Sequence, residues 1–303
     1  MAKLIIRNKN RSLYNLKSKI KRYCRKNEVI FNGYLKLKEF FIRKSIVHQR
    51  GDELFEKIYI ETISYCNNDC SFCSASAKIG IKRPVDFMPE DLYVKILREL
   101  KGISFTGSIA FHCNNEPLLD KRLSTFVRTA RTLLKNNYLY LYTNGILIDI
   151  DLANDLFDAG LNRIIIDSYS DTHELIPSIK NIVSNSSDLR GEVFVDYRHK
   201  TECFGNRAGQ TPNAKFVLKR PLNIVCTRPL KEIVVTHDGT VALCCADALW
   251  RVTMGNAKNT TLKDIWFSDF FKEVRKKLAA GDRSCTDICK VCDALKFFAP
   301  KGI

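Results

Sequence analysis

From Lys57 to about residue 200, short runs of β-branched and aromatic residues alternate with longer amphipathic stretches, the pattern of consecutive βα units. Strands are predicted at Lys57 to Thr62, Ser108 to His112, Tyr138 to Tyr142, Arg163 to Ile166 and Val193 to Tyr197. Helices are predicted from Met88 to about Leu100, around Lys121 to Lys135, at Asp151 to Asp158 and at His173 to Ile182. Such a series closes most naturally as a partial TIM-type (β/α) barrel of five or six parallel strands, giving an α/β fold. A doubly wound open sheet shares the alternation, but no Gly-rich phosphate loop follows the first strand.

The pattern changes at each end of this region. In the C-terminal part, Lys231 to Cys244 reads as two alternating strands around His237-Asp238-Gly239. Met254-Gly-Asn256, a helix at Thr261 to Trp266 and an amphipathic stretch from Phe270 to Leu278 follow. This is a small domain of a hairpin plus helix. In the N-terminal part, Leu13, Leu16, Ile20 and Tyr23 fall at helical spacing, as do Ile30, Tyr34, Leu37 and Phe41. The expected domains are a basic helical extension (1–56), the barrel (57–220) and the C-terminal domain (221–303).

Charge sharpens that division. Residues 1–57 hold 16 Lys or Arg against 5 Asp or Glu, a balance of +11 out of a total of +16, which leaves +5 for the rest. Two readings of the extension stand: its apolar faces cover the barrel while the charges are solvated, or it docks on an acidic surface, for instance as a peripheral membrane contact. No nucleic-acid recognition module stands out, so no nucleic acid is expected. No run of about 18 apolar residues appears, and no apolar h-region follows Met1-Ala-Lys-Leu-Ile-Ile-Arg7. Twelve cysteines in such a chain point to a reducing, cytoplasmic setting and to metal ligation.

Nine of the twelve cysteines fall into two groups. Cys66, Cys70 and Cys73 form C-x3-C-x2-C on a loop directly after the first barrel strand, at the strand end where parallel α/β folds place their chemistry. Three thiolates are one short of an ordinary structural zinc site, whereas a [4Fe-4S] cluster held by three leaves one iron open to a small molecule. The second group is Cys226, Cys244, Cys245, Cys285, Cys289 and Cys292. Four thiolates close a site, and the set Cys226, Cys244, Cys289 and Cys292 takes one cysteine before the hairpin, one at its end and a terminal C-x2-C pair. Cys245 in place of Cys244 and Cys285 in place of Cys289 remain open, as does zinc instead of iron-sulfur in the same thiolates.

The first motif resembles the signature of the radical S-adenosylmethionine (radical SAM) superfamily, and the C-terminal layout resembles its SPASM or twitch extension. The resemblance implies that Cys66, Cys70 and Cys73 hold a [4Fe-4S] cluster whose open iron binds S-adenosylmethionine, and that the C-terminal set holds one auxiliary [4Fe-4S] cluster. Cys113-Asn-Asn-Glu-Pro117 looks like the family's GGEP stretch, with Asn114 and Asn115 in place of the glycines and Glu116 as partner for the cosubstrate ammonium. Thr143-Asn144-Gly145 matches a family turn near the cosubstrate. Ser168 stands where a polar residue meets ribose or carboxylate, and Phe72 where an aromatic lies beside adenine.

Over Lys57 to Asp293 the chain is further similar to alcohol-oxidising dehydrogenases of aminoglycoside biosynthesis. This implies hydrogen abstraction from a sugar, a cyclitol or a carrier-linked sugar, with the auxiliary cluster taking the second electron and an external reductant such as flavodoxin or ferredoxin feeding the first. Arg207 would bind or help deprotonate the reacting hydroxyl. Two rivals use similar cysteines: a peptide (RiPP) maturase, and an epimerase with a hydrogen-donating thiol for which Cys113 and Cys203 are candidates. A zinc-stabilised binding module without catalysis is the reading from another class.

Overall fold

The computed structural model describes residues 4–7, 30, 33, 37, 53–70, 72–73, 84–170, 172, 174–198, 206–211, 218 and 220–294. Among these, nine strands form one sheet in the order β1-β6-β5-β4-β3-β2-β7-β8-β9. They are β1 (Leu4–Arg7), β2 (Lys57–Ile60), β3 (Ser108–Ala110), β4 (Tyr138–Thr143), β5 (Arg163–Tyr169), β6 (Glu192–Arg198), β7 (Glu232–Val235), β8 (Thr240–Ala242) and β9 (Thr253–Asn256). Strands β2 to β6 neighbour each other in chain order and all pair parallel. Strand order therefore never reverses between β2 and β6, which is barrel topology and not the doubly wound alternative.

The crossovers are the expected helices: α1 (Glu90–Gly102), α2 (Leu123–Leu133), α3 (Ile150–Asp158) and α4 (Pro177–Ser184). Each buries one stripe and leaves its polar face outward. In α1 the stripe is Leu92, Tyr93, Ile96, Leu97 and Leu100, at the spacing that puts them on one side of a 3.6-residue helix. Asp149 starts α3 by accepting from the Leu152 N–H. Ile58, Ile60, Ile109, Leu139, Leu141, Ile164, Ile166 and Val193 point from the strands into the same core. Their alternates, Ala110, Tyr140, Ile165 and Phe194, form a separate cluster on the opposite face.

Two features depart from the sequence reading. The parallel set has seven members, because β1 pairs with β6 and β7 pairs with β2. The expectation of a purely helical extension is corrected by β1. Leu4-Ile5-Ile6 is short and precedes a basic stretch, so its period-2 pattern is hard to see; the open edge of β6 supplies the hydrogen bonds that make it a strand. Leu4 packs on the main core and Ile5 on the inner cluster. Most of the two amphipathic helices, including Leu13, Leu16, Ile20, Tyr23, Tyr34 and Phe41, lies outside the described residues. Ile30, Gly33 and Leu37 are helical, with Ile30 and Leu37 42% and 59% exposed.

The hairpin forms as read: Val234 and Val235 of β7 pair antiparallel with Ala242 and Val241 of β8. Met254-Gly-Asn256 is the edge strand β9. Helical segments α5 (Arg228–Lys231), α6 (Leu262–Trp266), α7 (Asp269–Ala280) and α8 (Asp287–Lys290) complete the C-terminal part. Helix α7 begins at a Ser268 cap and ends at Gly281 in the left-handed region (φ 91°). Because β7 pairs with β2, the sheet runs without a break from the barrel strands into the hairpin.

Candidate active site

Past the end of β2, the cysteine loop is held by backbone bonds. Cys73 N–H donates to the Cys70 carbonyl at 3.0 Å, and the Tyr65 carbonyl accepts from Glu116 N–H at 2.9 Å, which ties the loop to the end of β3. Cys70 and Phe72 are buried, and Cys66 and Cys73 are half-buried. Burial, with a smaller contribution from the nearby Glu116 carboxylate, pushes the Cys66 thiol up to about 12. Such a thiol ionises near neutral pH only when a bound cation pulls the proton off.

The ends of β3 and β4 meet at Glu116. Its carboxylate is buried and accepts from Leu118 N–H at 3.1 Å, from the Thr143 hydroxyl at 2.7 Å and from Asn144 N–H at 2.8 Å. Burial outweighs those bonds and raises its pKa to about 7. Asn144 reaches on to Asn67 Oδ1 (2.8 Å) and towards Cys66 Sγ (3.9 Å). Gly145 makes the turn possible: its φ is +74°, and a Cβ there would lie 2.7 Å from Ile166 Cγ2.

Asn114 donates its N–H to Glu61 Oε1 at 2.6 Å and its side-chain amide to Cys113 Sγ (3.2 Å) and the Cys245 carbonyl (3.4 Å). Asn115 accepts from Cys113 N–H at 3.0 Å, and its own buried Nδ2 has no partner among the described residues. Ser168, on β5 and 1% exposed, also has a buried hydroxyl with no partner among the described residues. Beside it, the ring of Phe72 lies 5.1 Å from that of Tyr169. The asparagines thus substitute side-chain hydrogen bonds for the backbone freedom that glycines would give.

Arg207 sits between the two cysteine groups. Its guanidinium Nη1 donates to Asn114 Oδ1 at 3.2 Å and lies 3.6 Å from Cys73 Sγ. Burial works against its charge, but the thiols of Cys73, Cys245 and Cys113 outweigh that and hold it above its usual value. It is a donor and a cation, not a base. Arg207 and Ala208 both adopt left-handed backbone (φ 42° and 58°), a cost accepted to turn the side chain towards Cys73.

Ala208 lines a cavity, together with Cys226, Cys244, Cys289 and Cys292. Cys245 and Cys285 are not among its lining residues. Cys245 instead accepts from Arg228 Nη1 at 2.6 Å and donates to Glu232 Oε1 at 3.2 Å. Two guanidinium groups, Arg228 and Arg283, border the cavity, and among the described residues no carboxylate or histidine does. Four soft thiols facing two cations suit an anionic thiolate cluster. Among the described residues no three Cys, His, Asp or Glu side chains converge on one ion-sized point, and none of the cysteines is disulfide-bonded. Cys203, the other hydrogen-donor candidate, lies outside the described residues.

Sequence reasoning did not single out Glu61 or the arginines that border the cavity, and it named Cys245 as an alternative cluster ligand, not as the partner of Arg228 and Glu232. Glu61 reads as one more strand-end residue, and nothing in its neighbours signals that Asn114 will donate to it. Arg228 stands two residues after Cys226, the one cue that could have marked it.

Residues 60–186 match the sequence model of the radical SAM superfamily, and residues 226–293 match that of the SPASM iron-sulfur cluster-binding domain. The chain is 29% identical over 242 residues to the S-adenosyl-L-methionine-dependent 2-deoxy-scyllo-inosamine dehydrogenase of Niallia circulans, covering 80% of this chain and 94% of that one. It is 34% identical over 108 residues to a GTP 3',8-cyclase of Microcystis aeruginosa, covering 35% and 32% of the two chains. Among solved structures, it superposes on BtrN in complex with AdoMet and 2-DOIA with a TM-score of 0.70 at 28% identity, covering 80% of this chain and 95% of that one. The chain thus carries a radical SAM domain at residues 60–186 and a SPASM-type iron-sulfur domain at 226–293, so it is an enzyme whose cofactors are a SAM-binding [4Fe-4S] cluster and auxiliary iron-sulfur.

Proposed function

We propose that this enzyme oxidises an alcohol carbon of a small sugar or cyclitol to a ketone. One observation carries the reading: Arg207 lies against Cys73 while its neighbour Ala208 lines the cavity of Cys226, Cys244, Cys289 and Cys292. A single dipeptide therefore spans the two thiol groups, as a reaction that removes a hydrogen atom at one and passes an electron to the other requires. The likeness to a dehydrogenase of 2-deoxy-scyllo-inosamine supports the same substrate class.

In this reading Cys66, Cys70 and Cys73 hold the SAM-binding cluster, and Cys226, Cys244, Cys289 and Cys292 hold a single auxiliary cluster. When bound, the two supply hydrogen-atom abstraction and a one-electron acceptor. Asn144, Glu116 and Thr143 shape one side of the cosubstrate pocket. The unpartnered Ser168 hydroxyl and Asn115 amide provide polar groups for it, and Phe72 an apolar face. Glu116 can still accept from an ammonium group, since each carboxylate oxygen has two lone pairs. Arg207 holds the reacting oxygen and, being a cation, favours its deprotonated form; the proton leaves through another base or water. The first electron comes from an external carrier of the flavodoxin or ferredoxin type, in the cytoplasm. No described helix is long and apolar enough to cross a membrane.

The test is an anaerobic assay with 2-deoxy-scyllo-inosamine and related cyclitols. The expected result is one 5'-deoxyadenosine per ketone formed and no solvent deuterium in recovered substrate. Deuterium incorporation without ketone would favour an epimerase, and turnover of a peptide alone would favour a maturase. Absence of cosubstrate cleavage would remove radical chemistry altogether.

A further inference from the structure

The inner face of the sheet carries an aromatic group that the proposed roles leave unused. His112, just past β3, has its ring centroid 5.5 Å from that of Tyr59 on β2 and 5.4 Å and 4.7 Å from those of Tyr140 and Tyr142 on β4. Four rings from three adjacent strands thus form one floor, continuous with the inner cluster of Ala110, Ile165 and Phe194.

The polar atoms of this floor are unspent. His112 Nδ1 accepts from Tyr142 N–H at 3.1 Å, which leaves the proton on Nε2 and makes that nitrogen a donor. Burial and the nearby Lys57 cation lower the His112 pKa to about 3, so the ring is neutral. Among the described residues, Nε2 and the phenolic oxygens of Tyr59, Tyr140 and Tyr142 have no hydrogen-bond partner, although Tyr140 is only 8% exposed. By contrast, the buried Tyr93 donates to the Phe126 carbonyl at 2.7 Å and the half-buried Tyr169 to Asp167 at 3.1 Å. Burial also raises the pKa of all three floor phenols, which keeps them protonated donors.

Three cations border the floor, and Arg7, over the Phe194 ring and near Tyr142, is one of them. Lys57 Nζ lies over the Tyr59 and Tyr140 rings, with Glu232 nearby, and Arg198 pairs with Asp167 and Asp196 at the other end. The surface offers neutral donors at several points around aromatic faces. It suits a molecule with hydroxyls around its rim and an apolar C–H face.

Resting on the reading above, we infer that Tyr59, His112, Tyr140 and Tyr142 form the substrate floor and bind a polyhydroxylated ring, with hydroxyls on the phenols and His112 Nε2 and the C–H face on the aromatic rings. The experiment is anaerobic calorimetric binding of 2-deoxy-scyllo-inosamine and of scyllo-inositol to the reconstituted full-length enzyme with S-adenosylmethionine. Wild type is compared with Tyr140→Phe, Tyr142→Phe and His112→Asn; the last keeps an acceptor for Tyr142 N–H and removes the Nε2 donor. Each substitution is expected to weaken ring binding by about tenfold, the loss of one neutral hydrogen bond, while substrate-free cosubstrate cleavage stays at the wild-type rate. Ring binding that survives all three substitutions within about twofold overturns the floor alone. Failure of the wild type to bind either ring overturns the polyol reading and the floor with it.

Discussion

The Thr143 hydroxyl donates to the buried Glu116 carboxylate at 2.7 Å, so the ends of β3 and β4 are joined through one ionisable group. Its folded pKa is raised to about 7 by burial, above the 4.5 of an ordinary glutamate. Between those values the folded state binds more protons than the unfolded state. The stabilisation is therefore full below about pH 4.5 and is lost as pH rises through about 7, on the order of 3 kcal/mol in all. Glu116→Gln removes that slope. It also sets an amide donor against one of the donors that Glu116 accepts, a pH-independent cost of about 1–3 kcal/mol. Urea unfolding of the metal-free protein at pH 5 and pH 7.5 measures both; equal slopes in the two proteins would show that Glu116 is not the group responsible.

Replacing Cys66, Cys70 and Cys73 together with alanine should drop iron from about eight to about four per reconstituted chain and abolish cosubstrate cleavage. Alanine at Cys245 or Cys285 should leave iron content unchanged, because neither lines the cavity of the other four. Iron and acid-labile sulfide determination checks both, and a fall to about four with Cys245→Ala would reassign the ligand.

Arg283 is 2% exposed and donates to the carbonyls of Ile224 (3.1 Å), Val225 (3.4 Å) and Cys292 (3.4 Å) while lining the thiol cavity. A buried cation favours the more negative, reduced form of a thiolate cluster. Arg283→Met should therefore lower the midpoint potential of the auxiliary cluster and reduce iron retention, whereas Arg283→Lys keeps more of the potential. Spectroelectrochemistry resolves the two effects, and a potential unchanged in Arg283→Met would assign the residue to loop anchoring alone.

Gly145→Ala should cost about 1–3 kcal/mol, since φ is +74° and the new methyl meets Ile166 and Ile179 below 3.0 Å. The displaced turn carries Asn144, so affinity for S-adenosylmethionine should fall with stability. Thermal melts with and without the cosubstrate separate the two losses.

Much of this arrangement was legible in the sequence. The parallel strands and their crossovers follow from alternation and amphipathic stripes such as Leu92 to Leu100, and the two thiol groups follow from spacing. Strand β1 was not legible, because four residues have too little pattern of their own and depend on β6 for pairing. Glu116 was legible as a chemical group but not as the knot between strand ends. Leu118 is a local partner two residues on, but Thr143 and Asn144 are brought to it by the register of β3 and β4, a long-range fact that no local pattern encodes. Arg207 was visible as a candidate, while its backbone conformation and its place beside Cys73 depend on chain 134 residues away.

The pairing of β7 with β2 has a further consequence for how such a molecule is assembled and altered. A cluster domain hung on a linker could be exchanged like a cartridge, and its distance from the reaction chamber would wander with the linker. Here Lys57 to Ile60 and Glu232 to Val235 lie in register, four residue pairs long. Cutting the chain after the barrel would strip β2 of one whole row of partners and bare the very strand from which the first cysteine loop springs. The two cysteine groups are therefore inherited together, at a spacing set by the weave of the sheet.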